Sequence, residues 1–346
     1  MKRGLVLSLA GLGLALSVVL EVLHVRAYLV PAETSFCAIG QRLDCTSVAL
    51  SRYAVLAGLP LPVWGALGFL AIGLAAFFRS RLLLVLTAAA SVASLALLGV
   101  ELFAIGALCL LCEAVHVVAF ASFGVALALD RGALAPFADR RKALQVFAPS
   151  ALLAVGLLLF IPRYWAVFGW KGEPPFPHGK TQEGYPWIGA EEPGVTVHEF
   201  TDYRCVHCKA AASRSLRLLA QYPDTLRIVR RQFPRQRCPR RASFACLALR
   251  FAYCAGEQGK FWQADRWLFD RAGRRGNLES SDLVRDVGID SGKFSVCLGL
   301  EATAERAAEE AQFALDQGYQ GTPTLVVDGA VITEGELRQL VERGGS

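Results

Sequence analysis

Polar residues are sparse over the first 162 positions and frequent after them, and this contrast divides the chain into two parts. Five apolar runs fill the first part, at about residues 4–25, 61–78, 82–105, 109–129 and 144–162. Each comes near the roughly 20 residues a helix needs to cross a hydrocarbon core about 30 Å thick, so five membrane-spanning helices are predicted. Beyond them the period changes. "GVTVHEF" alternates as a strand does, and the segment that follows, "CVHCKAAASRSLRLLAQYP", predicts an amphipathic helix opening at Cys205. Near the end, "GTPTLVVDGAVITEGEL" predicts a Thr-Pro entry into a strand, a hairpin turn at Asp328-Gly329, a second strand and a last helix. Between the two parts, "GEPPFPHGKTQEGYPW" has the Pro and Gly content of a semi-rigid linker. The expected organisation is a helical bundle over 1–132, a fifth span and start of linker over 133–170, linker over 171–189, and a soluble domain over 190–346.

Composition agrees. The chain of 346 residues is 54% hydrophobic, too apolar for one soluble domain of that length. Charge then orients it. One set of connections carries Lys2, Arg3, Arg79, Arg81, Arg131, Arg140, Arg141 and Lys142, while the other carries only Arg26, Arg42 and Arg52. The positive-inside rule puts the amino terminus in the cytoplasm, and five crossings put everything after residue 162 outside it. "HVRAYLVPAETSFC" offers no convincing cleavage site, so the first span is expected to be retained in a multi-pass protein of the cell inner membrane. The net charge of +6 is partly this topology signal. "RRQFPRQRCPRR" is read as a solvated loop near anionic lipid, and no nucleic-acid partner is expected. Glu21 and Glu101 fall near the outer ends of their spans and are expected at the interface.

The ten cysteines all fall on or near the non-cytoplasmic side of this topology, where disulfides persist. Cys205 and Cys208 stand three apart at a helix amino terminus, whose free amides and dipole favour a thiolate at Cys205; His207 between them adds positive charge. Cys246 and Cys254 are eight apart on a predicted helix, about 12 Å, too far for one bridge. The favoured pairs are Cys238 with Cys246 and Cys254 with Cys297; the alternative is Cys238 with Cys254 and Cys246 with Cys297. No ligand spacing calls for a metal. Cys109 and Cys112 sit at the outer end of the fourth span, where Leu or Ala would fill the space without chemistry. Cys37 and Cys45, in the first outer loop, have chain enough on either side to visit other thiols, and exchange passes through mixed disulfides.

The strand, the Cys-x-x-Cys helix, the helical insertion in "CLALRFAYCAGEQGKFWQADRWLF", Thr322-Pro323, the hairpin and the last helix together resemble a DsbA-type thioredoxin-fold oxidoreductase over 190–345. That resemblance implies that Pro323 is cis and faces the thiol pair, and that Cys205 attacks the partner. Cys37, Cys45, Ser51 and the Cys109/Cys112 pair resemble the vitamin K epoxide reductase family over about 1–132, in its bacterial form fused to a thioredoxin-like domain. The fold implied is an all-α transmembrane four-helix bundle plus a fifth span, followed by an α/β thioredoxin-like domain. The resemblance further implies a quinone of the ubiquinone or menaquinone type within the bundle, under a short helix in "TSVALSRYAVLAGLP". Electrons would run from Cys205/Cys208 to Cys37/Cys45, to Cys109/Cys112, and to the membrane quinone pool beside Cys112. The clients would be reduced secreted or periplasmic proteins. The sequence departs from the vertebrate pattern in carrying His116, preceded by Glu113, where a tyrosine stands one turn after the second cysteine, and in lacking an asparagine at "LPLPVW". His116 is then either the quinone's hydrogen-bond donor or a packed histidine with a backbone partner. Ser51 is either a polar contact near the cysteines or a locally satisfied helix-end hydroxyl. The alternative functions are a membrane-tethered thiol-disulfide isomerase or chaperone, and an outward reductant conduit.

Overall fold

The computed structural model describes all residues except 1, 31–42, 130–139, 167, 169, 171, 235–236, 239–242, 272–277 and 345–346. The chain forms two compact units, Met1–Ala27 with Ala32–Arg163, and Tyr164–Ser346 with Tyr28–Pro31.

The first unit contains α1 (Lys2–Leu29), α2 (Cys45–Leu50), β1 (Val55–Leu56), β2 (Leu59–Pro60), α3 (Leu61–Phe77), α4 (Leu82–Val100), α5 (Leu110–Leu129) and α6 (Arg140–Phe160). Among the described residues, four helices are long and apolar enough to cross a membrane: α1, α4 with its continuation to Ile105, α5 and α6. α3 has 17 residues, about 26 Å at 1.5 Å per residue, the lower limit of what spans. Large apolar side chains such as Val92, Leu95, Phe103, Val117, Leu152 and Phe160 point outward, as lipid contact requires. The interior is built instead from close helix approach. Phe69 of α3 lies on Gly13 of α1, where a Cβ would come within 2.4 Å of its ring, and a Cβ on Gly65 would meet the Ser17 hydroxyl at 2.9 Å. The small residues of "GLGLALS" thus allow α1 and α3 to touch backbone to side chain. The Ser17 hydroxyl donates to the Gly13 carbonyl at 2.8 Å, which satisfies it inside the helix.

α4 ends in a π-helical turn, Glu101–Ile105, closed by Gly106 at φ 79°, a left-handed conformation natural to glycine. The chain reverses there and enters α5, which packs along α4; the Ser91 hydroxyl donates across to the Ala119 carbonyl at 3.4 Å.

In the second unit the elements are β3 (His178–Lys180), β4 (Pro186–Gly189), β5 (Val195–Thr201), α7 (Val206–Gln221), β6 (Leu226–Gln232), α8 (Phe244–Gly256), α9 (Phe261–Asp270), α10 (Ser280–Val287), α11 (Ser291–Gly299), α12 (Glu301–Asp316), β7 (Thr324–Val327), β8 (Ala330–Ile332) and α13 (Glu334–Gly344). One six-stranded sheet runs β3-β4-β6-β5-β7-β8, with β5 parallel to β6 and antiparallel to β7. The sheet therefore begins inside the stretch expected to be linker, because β3 and β4 pair along one edge of β6. Helices α8 to α12 form the insertion, and Phe251, Trp262, Phe269 and Phe294 carry their core. The β7–β8 hairpin turns at Asp328 and Gly329, both with positive φ, as a two-residue hairpin demands.

The basic segment read as a solvated loop is only partly that. Arg230 and Arg231 lie buried in β6. Arg230 pairs with Glu199 at 2.7 Å and Asp265 at 3.1 Å, and Arg231 with Glu310 at 3.1 Å. Buried charges are tolerated where such partners meet them. The cysteines of the insertion pair as Cys238–Cys246 and Cys254–Cys297, the first of the two arrangements laid out above.

Candidate active site

Two thiol sites are seen, one in each unit. In the second unit, Cys205 is the N-cap of α7. Asp202 shapes the approach: its carboxylate accepts from the Arg204 N–H at 2.8 Å and its carbonyl from the Cys205 N–H at 2.9 Å, a turn that feeds the helix. Cys205 is partly exposed and Cys208 buried. The Thr322-Pro323 bond is cis, and the Cys205 thiol donates to the Thr322 carbonyl at 3.5 Å. The Cys205 thiol is acidified to about 6, first by the hydrogen bond from Cys208, then by the Cys208 amide and the His207 charge, against burial. Burial pushes the Cys208 thiol well up. The pair is thus split into a partly exposed, acidified thiol and a buried one.

In the first unit, Cys37 lies outside the described residues, while Cys45 is disulfide-bonded. Cys45 opens α2, whose cap is Asp44: its carboxylate accepts from the Thr46 N–H at 2.9 Å, the Ser47 N–H at 3.1 Å and the Ser47 hydroxyl at 2.6 Å. The Asp44 N–H in turn donates to the Leu108 carbonyl at 3.0 Å, and Leu43 and Leu108 form a parallel bridge. Residue 44 is therefore tied beside residue 108, which brings Cys45 to Cys109. The two sulfurs share one buried apolar cluster with Leu20, Val48, Leu111 and Cys112. The Cys112 N–H donates to the Cys109 sulfur at 3.4 Å.

These cysteines wall a cavity of about 810 Å³, its mouth included, whose lining is mostly apolar and also holds Ser17, His24, Ser51, Tyr53, Glu101 and His116. Residues of α2 and of the turn after it, Val48, Ala49, Tyr53 and Ala54, form part of that wall, where the resemblance placed a short helix. Ser51 and His116 are buried, and among the described residues neither the Ser51 hydroxyl nor either His116 nitrogen has a hydrogen-bond partner. Glu101 corrects another expectation. It is not interfacial but 4% exposed, and its carboxylate accepts from the Cys109 N–H at 3.0 Å. Sequence reasoning also missed Asp44 and His24; an Asp directly before the first residue of a short helix is a cap signal that was open to reading.

With this geometry in place, residues 5–127 match the vitamin K epoxide reductase family, and residues 181–342 match the thioredoxin family. The chain joins a vitamin K epoxide reductase domain to a thioredoxin-like domain. Solved structures similar to the chain include a thioredoxin-like oxidoreductase from Silicibacter pomeroyi DSS-3, at 27% identity over 46% of this chain and 91% of that one, TM-score 0.38. Others are alpha-DsbA2 from Wolbachia pipientis, a thiol-disulfide exchange protein (21%, 46% and 86%, TM-score 0.38), and BdbD from Bacillus subtilis (20%, 49% and 97%, TM-score 0.40). Curated relatives include the Na(+)/H(+) antiporter NhaA of Herminiimonas arsenicoxydans, 30% identical over 144 residues, and NhaA 1 of Mycolicibacterium vanbaalenii, 30% over 146. The alignments cover 41% of this chain and 22% and 23% of those proteins, so the chain spans under a quarter of the length of the relatives it matches.

Proposed function

We propose that this chain is a membrane thiol-disulfide oxidoreductase that makes disulfides in proteins outside the cytoplasm and sends the electrons to a quinone in the bilayer. The observation that carries the reading is the buried cluster of Cys45, Cys109 and Cys112 at the wall of the cavity. The cavity suits a quinone ring, since its wall is mostly apolar while the Ser51 hydroxyl and the His116 imidazole are buried without partners. Bound there, a quinone supplies the sink for two electrons and two protons and leaves as quinol.

The chain's own residues do the rest. Cys205, acidified to about 6, is a good leaving group, which favours giving the Cys205–Cys208 disulfide away to a client dithiol. The reduced pair is reoxidised by Cys37/Cys45. Cys45 then exchanges with Cys109, beside which Asp44 and Leu108 hold it. Cys109 and Cys112 close their disulfide at the cavity wall, and Ser51 and His116 orient the ring by its oxygens. Five crossings, with α3 as the shortest, and the Lys and Arg asymmetry support a cytoplasmic amino terminus with both thiol sites outside.

The test is turnover by the purified full chain. A reduced, unfolded cysteine protein should drive conversion of quinone to quinol with either ubiquinone or menaquinone analogues; no conversion with both classes defeats the reading.

A further inference from the structure

The buried carboxylate at the end of α4 does more than brace a loop. Glu101, at 4% exposure, faces Glu113 and His116, which stand three apart on α5 and so share a face. One ligand atom from each of the three lies within 4.8 Å of the other two. His116 is 5% exposed, and among the described residues neither ring nitrogen has a hydrogen-bond partner, nor has the Oε1 of Glu113. Buried polar groups are ordinarily satisfied, and two carboxylates this close repel one another unless they share a proton or a cation sits between them; a cation also meets the imidazole. The Cys112 sulfur, one residue before Glu113, lines the same cavity but stands outside this group of three, so it joins them by a turn of its side chain.

We propose that Glu101, Glu113 and His116 form a divalent-cation site of zinc chemistry, completed by the Cys112 sulfur when the Cys109/Cys112 pair is reduced. The donor set selects the metal. One imidazole, two carboxylates and one thiolate give the mixed, four-coordinate shell that zinc accepts. Magnesium and calcium need six or more oxygens, which this mostly apolar cavity does not supply. Binding breaks the Cys112 S–H bond, forms a zinc–sulfur bond and releases one proton, with no change of oxidation state. Closing the Cys109–Cys112 disulfide removes the thiolate, so the complete site exists only in the reduced chain. Zinc would then hold Cys112 and fill the place beside it, arresting the electron path in its reduced state. The proposal does not rest on the quinone reading, because binding is measured with no quinone present.

The test uses the full chain in detergent with Cys37→Ser, Cys45→Ser, Cys205→Ser and Cys208→Ser, kept folded during reduction and checked by mass to retain the Cys238–Cys246 and Cys254–Cys297 bridges, so that Cys109 and Cys112 are the only thiols freed. Reduced with a phosphine and titrated with zinc against a chromophoric chelator, it should bind one ion per chain. X-ray absorption should show one sulfur and the remainder nitrogen or oxygen. Oxidation to the Cys109–Cys112 disulfide, Glu113→Gln and His116→Ala should each weaken binding by about 10–100-fold, the scale on which lost ligand support acts. Glu113→Gln is nearly isosteric and guards against a result that reflects misfolding. No stoichiometric binding, a shell of two or more sulfurs, or unchanged affinity in Glu113→Gln and His116→Ala would overturn the proposal.

Discussion

The acidity of Cys205 sets how strongly the soluble thiol pair oxidises, and it can be shifted without touching that sulfur. Its thiol falls from an ordinary 9.0 to about 6, and the leading cause is the hydrogen bond from Cys208. Because the folded thiol is the more acidic, the reduced fold gains stability that is complete above the unfolded value near 9. That gain is lost as pH falls through about 6. At about 1.36 kcal/mol per decade, it is roughly 4 kcal/mol when complete and about 1.4 kcal/mol at pH 7, one decade above the folded value. The same energy opposes closure of the disulfide. At about 30 mV per decade for two electrons, it makes the couple about 30 mV more oxidising at pH 7 and about 90 mV more at pH 9. The assay is alkylation of Cys205 in the reduced full chain, followed by peptide mass spectrometry across pH 4 to 10. The rate should level off above about pH 6, and in Cys208→Ala the plateau should move upward. A wild-type rate that keeps climbing about tenfold per pH unit from 6 to 8 would refute the reasoning.

Three further outcomes are expected. Cys112→Ala should abolish quinone reduction while leaving a single turnover of client oxidation by Cys205 and Cys208; normal steady-state turnover by this variant would mean that the electron path runs elsewhere. Asp44→Ala removes three accepted hydrogen bonds at the start of α2 and should cost about 0.5–2 kcal/mol in detergent unfolding. It should also lower the yield of a trapped Cys45–Cys109 mixed disulfide in the Cys112→Ala background, and an unchanged yield would show that the cap does not position Cys45. Replacing Cys254 and Cys297 together by alanine opens a 43-residue link and should cost about 2–5 kcal/mol; a melting temperature within a degree of wild type would contradict a structural role.

The membrane helices were legible because a helix in lipid must be apolar on nearly every side over a fixed length, and α1, α4, α5 and α6 are. The last hairpin was legible because Asp328 and Gly329 both take positive φ, which few residue pairs accept. What stayed hidden depends on partners distant in sequence. β3 and β4 span three and four residues, too short for alternation to show, and their Pro and Gly content reads as linker. Arg230 and Arg231 read as surface charge because Glu199, Asp265 and Glu310 reach them only once the sheet and α12 are assembled. Glu101 reads as interfacial by depth alone; its burial follows from the π-helical turn and Gly106, which fold the Cys109 amide back onto it.

The contact between α1 and α3 bears on how this protein could diversify. Ser17 and Leu20 on one helix and Leu61 and Pro62 on the other form parts of the cavity wall, while Gly13 receives the Phe69 ring and Gly65 faces the Ser17 hydroxyl where those helices meet. The width of that cavity therefore depends on positions outside its lining. A methyl group added at Gly13 would run into the Phe69 ring and press the two helices apart there, a change remote from every sulfur.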